Sequence, residues 1–182
     1  MNIANIMTIF RVVLIFPAVL FVVWPISFHL VYALLLFILA SYTDHLDGKI
    51  ARKFGYITNF GKIMDPLADK LMVLSMFICF CFLDFCSFLP VVLIVLREVL
   101  ITIIRIFSLK NSKKVIPANN WGKLKTLTQI ISVCFILLFQ IFKEFGILPY
   151  NILSILDITC TLLLWLSVAF SWISGIIYLR EI

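Results

Sequence analysis

Six long apolar runs follow one another along the chain, separated by short polar stretches. Each run approaches the roughly 20 residues that a helix needs to cross a bilayer. The runs cover approximately residues 9–24, 28–43, 61–83, 91–109, 127–142 and 152–178. This pattern predicts an all-α membrane protein with six transmembrane helices.

The polar segments between these runs predict further elements. Residues 1–8 (MNIANIMT) are mildly amphipathic, which predicts a short interfacial N-terminal helix before the first span. Residues 44–53 contain good helix formers and no proline, so we expect the second helix to continue beyond the membrane. Residues 55–59 predict a turn, and residues 110–125 predict a second polar loop.

The composition supports a membrane location. The chain has 182 residues, of which 64% are hydrophobic and 13% are charged, and its mean hydropathy is +1.18. Soluble domains carry about 25% charged residues, so lipid must cover much of this apolar surface. The length is that of one domain, and we expect a single transmembrane domain over residues 1–182.

The net charge of +6 would favour nucleic-acid binding in a soluble chain. Here the positive-inside rule and an anionic leaflet explain it more simply, and we expect no nucleic-acid partner. Six spans place most basic residues on one side of the bilayer, namely Lys49, Arg52, Lys53, Lys62, Lys110, Lys113, Lys114, Lys123, Lys125 and Arg180. The opposite loops hold only Lys143. Both termini are therefore expected to be cytoplasmic.

Four of the nine acidic residues fall in one polar stretch between the second and third runs: Asp44, Asp47, Asp65 and Asp69. Within each pair the separation is three or four residues, which places both carboxylates on one helix face. Like charges so placed repel each other, so a compensating cation is needed. Oxygen ligands of this kind suit two hard divalent cations, Mg²⁺ or Mn²⁺.

The neighbours of these acids indicate a phosphate ligand. Gly48 and Ala51 are small and leave room for a ligand or for close helix packing. Arg52 lies one turn further along, and its planar guanidinium suits phosphate. Metals, space and a guanidinium together predict a diphosphate substrate at the membrane surface.

The pattern Asp44-x2-Asp47-Gly48-x2-Ala51-Arg52-x8-Gly61-x3-Asp65-x3-Asp69 resembles the signature of the CDP-alcohol phosphatidyltransferase family at every fixed position. Three further blocks are similar to bacterial phosphatidylglycerophosphate synthases within that family. They are Asn5-Ile6-Met7-Thr8 with Arg11, Arg97-Glu98 with Arg105, and Gly122-Lys123-Leu124-Lys125-Thr126. The resemblance extends over most of the chain.

The resemblance implies transfer of the phosphatidyl group of CDP-diacylglycerol to glycerol 3-phosphate, with release of CMP. It implies that the four aspartates hold two divalent metals and that Asp69 also acts as the catalytic base. The residues implied to bind CDP-diacylglycerol are Gly48, Ala51, Arg52, Thr58, Gly61, Asn5 and Thr8. It further implies a homodimer in the bacterial cell membrane, with its active site facing the cytoplasm.

The acceptor needs cations of its own, because glycerol 3-phosphate is a dianion. Arg97 and Arg105 are eight residues apart, within about a quarter turn of each other on a helix. With Lys123 and Lys125 they could bind the acceptor phosphate. A structural ion pair between Arg97 and Glu98 is the competing interpretation.

Two other functions stay open. The same chemistry could use inositol phosphate, serine or, as in a cardiolipin synthase, phosphatidylglycerol as acceptor. Intramembrane acids also occur in ion-coupled transporters. The acids here cluster at one membrane face instead of stepping across the bilayer, which disfavours transport.

Overall fold

The computed structural model describes the backbone of residues 3–54, 59–112 and 120–180, and the side chains of residues 10–11, 13–43, 70–104, 107 and 121–180. Six helices and no strand occupy this part of the chain. They are α1 (Ile3–Val23), α2 (His29–Phe54), α3 (Asn59–Phe82), α4 (Phe88–Ser112), α5 (Asn120–Glu144) and α6 (Tyr150–Arg180). The all-helical prediction is confirmed.

The apolar helices indicate a membrane protein. Within the described residues, α5 from Trp121 and the whole of α6 are long and apolar enough to cross a bilayer. Shorter apolar helical stretches cover Val13–Val23, His29–Thr43 and Lys70–Phe82. Six spans with two cytoplasmic termini remain a prediction.

The N-terminal region differs from the prediction of a separate interfacial helix. Residues 3–8 are the first turns of α1, which runs without interruption to Val23. No proline or glycine separates Thr8 from the apolar run, so nothing in the local sequence ends a helix there. Pro17 lies inside α1 and does not end it.

The second polar loop is shorter than the predicted 110–125. Helix α4 extends to Ser112 and α5 starts at Asn120, so Lys123 and Lys125 are helical. The only poor helix former among the first residues of α5 is Gly122, and the lysines and leucines that follow favour a helix. Lys123 and Lys125 are therefore both held on a helix and not in a loop.

Each helix buries one stripe of apolar side chains. On α3 the fully buried residues are Met72, Val73, Met76, Phe77 and Phe80, spaced as one helix face. The stripe of α5 continues this core with Val133, Ile136 and Leu137. Helix α5 packs against α2, α3 and α6, whereas α4 packs against α3 and α6.

Helix α6 contacts α5 through small polar side chains. The hydroxyl groups of Ser132 and Ser167 lie 3.0 Å apart, and Ser132 also donates to the Leu163 carbonyl oxygen at 3.2 Å. Small residues let helix backbones approach closely in membranes, where such hydrogen bonds join helices. The remaining surface of α6 exposes large apolar residues such as Leu162 and Trp165, a surface suited to lipid.

Candidate active site

The four aspartates lie on two helices that follow each other in the chain. Asp44 and Asp47 are in the second half of α2, and Asp65 and Asp69 are in the first half of α3. The backbone is helical across both pairs, so the predicted one-face spacing holds within each pair. The four side chains lie outside the described residues.

The residues expected to bind the CDP moiety belong to α1, α2 and α3, apart from Thr58. Helix α1 carries Asn5 and Thr8, and α3 carries Gly61. Gly48, Ala51 and Arg52 follow Asp47 on α2, whereas Thr58 lies outside the described residues. Because α1 packs against both α2 and α3, these three helices form one group in the fold.

Charged side chains converge on Glu98, which is buried inside the bundle with 3% of its surface exposed. Lys125 Nζ donates to Glu98 Oε1 at 2.5 Å, and Arg97 Nη1 donates to the same oxygen at 2.9 Å. Ser171 Oγ of α6 donates to it at 3.4 Å. The structure thus places Arg97 and Lys125, predicted from separate sequence blocks, on one carboxylate oxygen.

Lys70 contacts the other oxygen of the Glu98 carboxylate. Its Nζ lies 3.5 Å from Glu98 Oε2 and also donates to the hydroxyl of Thr102. Sequence reasoning missed Lys70 as a site residue. The available signal was its position directly after Asp69 and three residues before the buried Val73. Residues three apart lie on one helix face, so Lys70 is on the face of α3 that points to the core.

We call Lys70, Arg97, Glu98 and Lys125 the buried charge cluster. The group contains three cations and one carboxylate, and Lys70 and Arg97 also make further interactions. Buried charges are costly unless paired, so the contacts with Glu98 stabilise these cations inside the bundle. The competing interpretation, an ion pair between Arg97 and Glu98, is confirmed as a contact. This ion pair includes only one of the three cations in the cluster.

Of the other two acceptor candidates, only Lys123 has a described side chain, and it is not in this cluster. Lys123 is exposed at the surface of α5, two residues from the buried Lys125. Arg105 belongs to α4, and its side chain lies outside the described residues. An additional buried cation, Arg11 of α1, has only 1% of its surface exposed.

The chemistry of the donor set fits divalent metals. Carboxylate oxygens spaced three or four residues apart on helices are ligands that Mg²⁺ and Mn²⁺ prefer. Among the described side chains, no three His, Cys, Asp or Glu residues come together as metal ligands. The four aspartates are not part of that set, so the metal site remains a prediction from their backbone positions.

Comparison with known proteins identifies relatives along nearly the whole chain. The family model for CDP-alcohol phosphatidyltransferase matches residues 1–173. A Rickettsia typhi protein named CDP-diacylglycerol–glycerol-3-phosphate 3-phosphatidyltransferase is 35% identical over 179 residues, covering 98% of this chain and 96% of the relative. A Bacillus subtilis protein of the same name is 40% identical over 141 residues, covering 78% of this chain and 68% of the relative.

A third relative has a different name. A Mycobacterium tuberculosis protein named probable phosphatidylglycerophosphate synthase is 36% identical over 135 residues, covering 72% of this chain and 64% of the relative. The aspartate pattern on α2 and α3, the helical fold and the family match over residues 1–173 agree with one another. The chain therefore belongs to the CDP-alcohol phosphatidyltransferase family and is a transferase.

Proposed function

We propose that this enzyme transfers the phosphatidyl group of CDP-diacylglycerol to glycerol 3-phosphate, giving phosphatidylglycerophosphate and CMP. The relatives named above support this reaction by their names. The structural observation that carries it is the buried charge cluster, in which Arg97 and Lys125, from different helices, meet at one Glu98 oxygen. A guanidinium and an ammonium held this close together are groups that bind a phosphate.

The donor diphosphate would lie near the aspartates of α2 and α3. Asp47 is seven residues before the end of α2, and Asp65 is six residues after the start of α3. At 1.5 Å per residue these positions are about 10 Å and about 9 Å from the four-residue connection. Short connections favour antiparallel neighbouring helices, so the two acidic pairs would face each other at one level.

Two divalent cations, Mg²⁺ or Mn²⁺, would be held by Asp44, Asp47, Asp65 and Asp69. When bound, they neutralise phosphate oxygens and position the attacking and leaving groups. Arg52 would bind the diphosphate, and the small residues Gly48, Ala51 and Gly61 would leave space for it. Asn5, Thr8 and Thr58 would contact the remainder of the CDP group.

The protein residues then act on the acceptor hydroxyl. The Asp69 carboxylate takes the hydroxyl proton while the oxygen attacks the phosphorus that carries diacylglycerol. The phosphoanhydride bond to CMP breaks, and CMP leaves with the bonding electron pair. Lys125 and Arg97 hold the acceptor phosphate, which fixes the hydroxyl for attack. Such positioning accounts for much of the rate enhancement in phosphoryl-type transfer.

The site would face the cytoplasm of a bacterial cell, where glycerol 3-phosphate is dissolved. The excess of basic residues on the same side of six predicted spans supports this orientation. The donor would enter sideways from the bilayer, next to α2 and α3. A homodimer is the oligomer that we propose from family membership.

Inositol phosphate is the second candidate acceptor, because the buried charge cluster would also suit its phosphate. Serine is less suited, since it carries no phosphate group for these cations to bind. An ion-coupled transporter would not need the donor signature of α2 and α3.

Purified protein in lipid nanodiscs tests the proposal directly. CMP release is measured with CDP-diacylglycerol, Mg²⁺ and each acceptor in turn, and the lipid product is identified by mass spectrometry. We expect release with glycerol 3-phosphate, its loss on chelation, and recovery with Mg²⁺ or Mn²⁺. Release with inositol phosphate but not with glycerol 3-phosphate would refute the acceptor assignment. Ion flux without CMP release would favour transport.

A further inference from the structure

Two cysteine thiols contact each other where the chain leaves α3 and turns toward α4. Cys81 is the last but one residue of α3, and Cys86 lies two residues before the start of α4. Their Sγ atoms are 3.9 Å apart and form a weak hydrogen bond. All five cysteines of the chain are described, and no other two of them are in sulfur–sulfur contact. We call Cys81 and Cys86 the thiol pair.

A Schellman motif at the end of α3 holds the thiol pair together. The amide of Phe85 donates to the Phe80 carbonyl oxygen at 2.8 Å, and the amide of Asp84 donates to the Cys81 carbonyl oxygen at 3.3 Å. Asp84 has a φ of 54°, the left-handed conformation that this motif requires just beyond the helix. The ring centroids of Phe80 and Phe85 are 6.2 Å apart, an apolar contact that accompanies the motif. The backbone itself therefore brings Cys86 back to Cys81.

The geometry of the thiol pair suits a disulfide. A disulfide bond is about 2.05 Å long, so the two sulfur atoms need to approach each other by about 1.9 Å. Their sulfur atoms already touch, and Cys86 lies outside any helix, where its backbone can adjust. Both thiols are half-buried, and the neighbouring Asp84 and Ser87 are exposed. A reagent dissolved in water can therefore reach the pair.

The thiol pair lies far from the proposed active site. Cys81 is 11 residues after Lys70 on α3, which is about 17 Å along the helix axis. It is 22 residues, or about 33 Å, from the start of α3 at Asn59, a length comparable with the roughly 30 Å hydrocarbon core of a bilayer. With the aspartate end of α3 facing the cytoplasm, as proposed, the pair lies at the outer face. Disulfides persist in the oxidising bacterial periplasm, whereas cytosolic thiols stay reduced.

We propose that Cys81 and Cys86 are a thiol–disulfide exchange site, which a disulfide donor of the outer compartment oxidises to an intramolecular bridge. The outer compartment rests on the proposed membrane orientation, whereas the identity of the pair does not. The bridge closes a short loop across the turn between α3 and α4. It stabilises the fold because it restricts the unfolded chain.

The exchange proceeds in two displacements. One thiol of the pair loses its proton, and its sulfur attacks the donor disulfide, forms a mixed disulfide and releases one donor thiolate. The other thiol of the pair then loses its proton, attacks the protein sulfur of the mixed disulfide and releases the second donor thiolate. The two protons pass through water to the donor thiolates, so one disulfide is consumed, one is formed and two donor thiols leave. Burial raises the pKa of the Cys86 thiol, so the exchange is faster above neutral pH.

Thiol counting on the purified protein in detergent tests the pair. The reduced protein is treated with oxidised glutathione at a pH of about 8.5, denatured and alkylated with a maleimide, and peptide mass spectrometry locates the bridge. We expect the alkylated thiols to fall from five to three, with Cys81 linked to Cys86 in most molecules. The Tm should rise by at least about 2 °C above that of the reduced form. Dithiothreitol should reverse both changes.

Two variants are matched to this measurement. Cys86→Ser cannot form the bridge, so Cys81 should stay open to alkylation or carry one glutathione. Cys134→Ser removes a thiol of α5 that has no sulfur contact, and this variant should still lose two alkylated thiols on oxidation. In their reduced forms, both variants should release CMP at rates within about twofold of wild type, because the thiol pair is remote from Lys70.

The outcomes separate the pair, its location and the proposed function. Five alkylated thiols after oxidation, or a bridge from Cys86 to Cys160, would overturn the pair, and an unchanged Tm would contradict its stabilising role. In intact bacterial cells treated with a reductant, a membrane-impermeant maleimide should label Cys86. Labelling only after lysis would contradict the outer location and leave the thiol count unaffected. Failure of the wild type to use glycerol 3-phosphate would refute the proposed function alone.

Discussion

Two glutamates of the helix bundle lie in contrasting surroundings. Glu98 is buried among three cations and a serine hydroxyl on four helices. Glu144, at the end of α5, has a side chain that is 40% exposed and lies 3.6 Å from His29 Nε2. Both are glutamates next to a basic partner, and yet only the first is buried and contacts cations from three helices. Burial and the number of cations that meet, not the presence of an ion pair, distinguish a candidate ligand site from an isolated surface contact.

The same contrast separates the acidic and cationic parts of the site. The four aspartates of α2 and α3 are carboxylates, which suit the metals proposed to bind the donor diphosphate. The buried charge cluster brings Lys70, Arg97 and Lys125 together, and such cations suit the acceptor phosphate. Asp69 and Lys70 are adjacent in α3. Asp69 belongs to the acidic part, and Lys70 belongs to the cationic part. Variants in the two parts should therefore affect different substrates.

The largest effect is expected at the proposed base. Asp69→Asn should lower kcat about a thousandfold, because a positioned general base typically contributes a factor of 10²–10⁴. Donor binding, measured with labelled CDP-diacylglycerol, should largely survive. Asp157→Asn, at an exposed position of α6, is the matched control and should stay within about twofold of wild type. Near-normal turnover of Asp69→Asn at neutral pH would exclude Asp69 as the base.

A second prediction compares two lysines on one helix. Lys125→Met should lower kcat/KM for glycerol 3-phosphate about a hundredfold, equivalent to about 2.7 kcal/mol, because it leaves Glu98 short of a partner and removes a phosphate ligand. Lys123→Met, which changes an exposed residue on the same helix, should lower it less than fivefold. Equal losses of kcat/KM in the two variants would show that burial does not decide which lysine binds the acceptor phosphate.

Arg105 provides a smaller and more selective test. Arg105→Ala should raise the KM for glycerol 3-phosphate about tenfold, the loss of one charge-assisted contact at a site with other cations. The KM for CDP-diacylglycerol should change less than threefold. Steady-state kinetics with each substrate varied separately measures both values. Equal effects on donor and acceptor would remove Arg105 from the acceptor site.

The smallest effect is expected at Glu144, the last residue of α5. Glu144→Gln removes a half-exposed pair with His29, and such pairs contribute about 0–1 kcal/mol. We expect activity within twofold of wild type and a shift in Tm of no more than about 3 °C in detergent. A loss of activity comparable with that of Lys125→Met would mean that the surroundings of Glu144 and Glu98 do not differ in importance as their burial indicates.

The hydrophobic pattern predicted the helices well because apolar runs are a local property. The helical spacing of Asp44 with Asp47, and of Asp65 with Asp69, was also readable from the sequence and lies in continuous helices. The helix ends were less predictable. Helix α5 begins before Lys123, and α1 includes residues 3–8, because neither place contains a proline that would end the helix.

The buried charge cluster could be predicted only in part. Arg97 and Glu98 are adjacent in sequence, so their pairing was foreseeable. Lys70 and Lys125 are 28 and 27 residues from Glu98, and their convergence depends on how α3, α4 and α5 pack. Long-range packing also separates Lys125 from Lys123, which the sequence alone treats as equivalent. Tertiary structure thus decides which basic residues can act together.

The most direct test of a buried site for a phosphate dianion compares two acceptors that differ only in the phosphate group. Wild-type kcat/KM is measured for glycerol 3-phosphate and for glycerol, with CDP-diacylglycerol saturating and CMP release as the readout. We expect a preference for glycerol 3-phosphate of at least a thousandfold, about 4 kcal/mol at 1.36 kcal/mol per factor of ten. Comparable values for the two acceptors would contradict an acceptor site built from Lys70, Arg97 and Lys125.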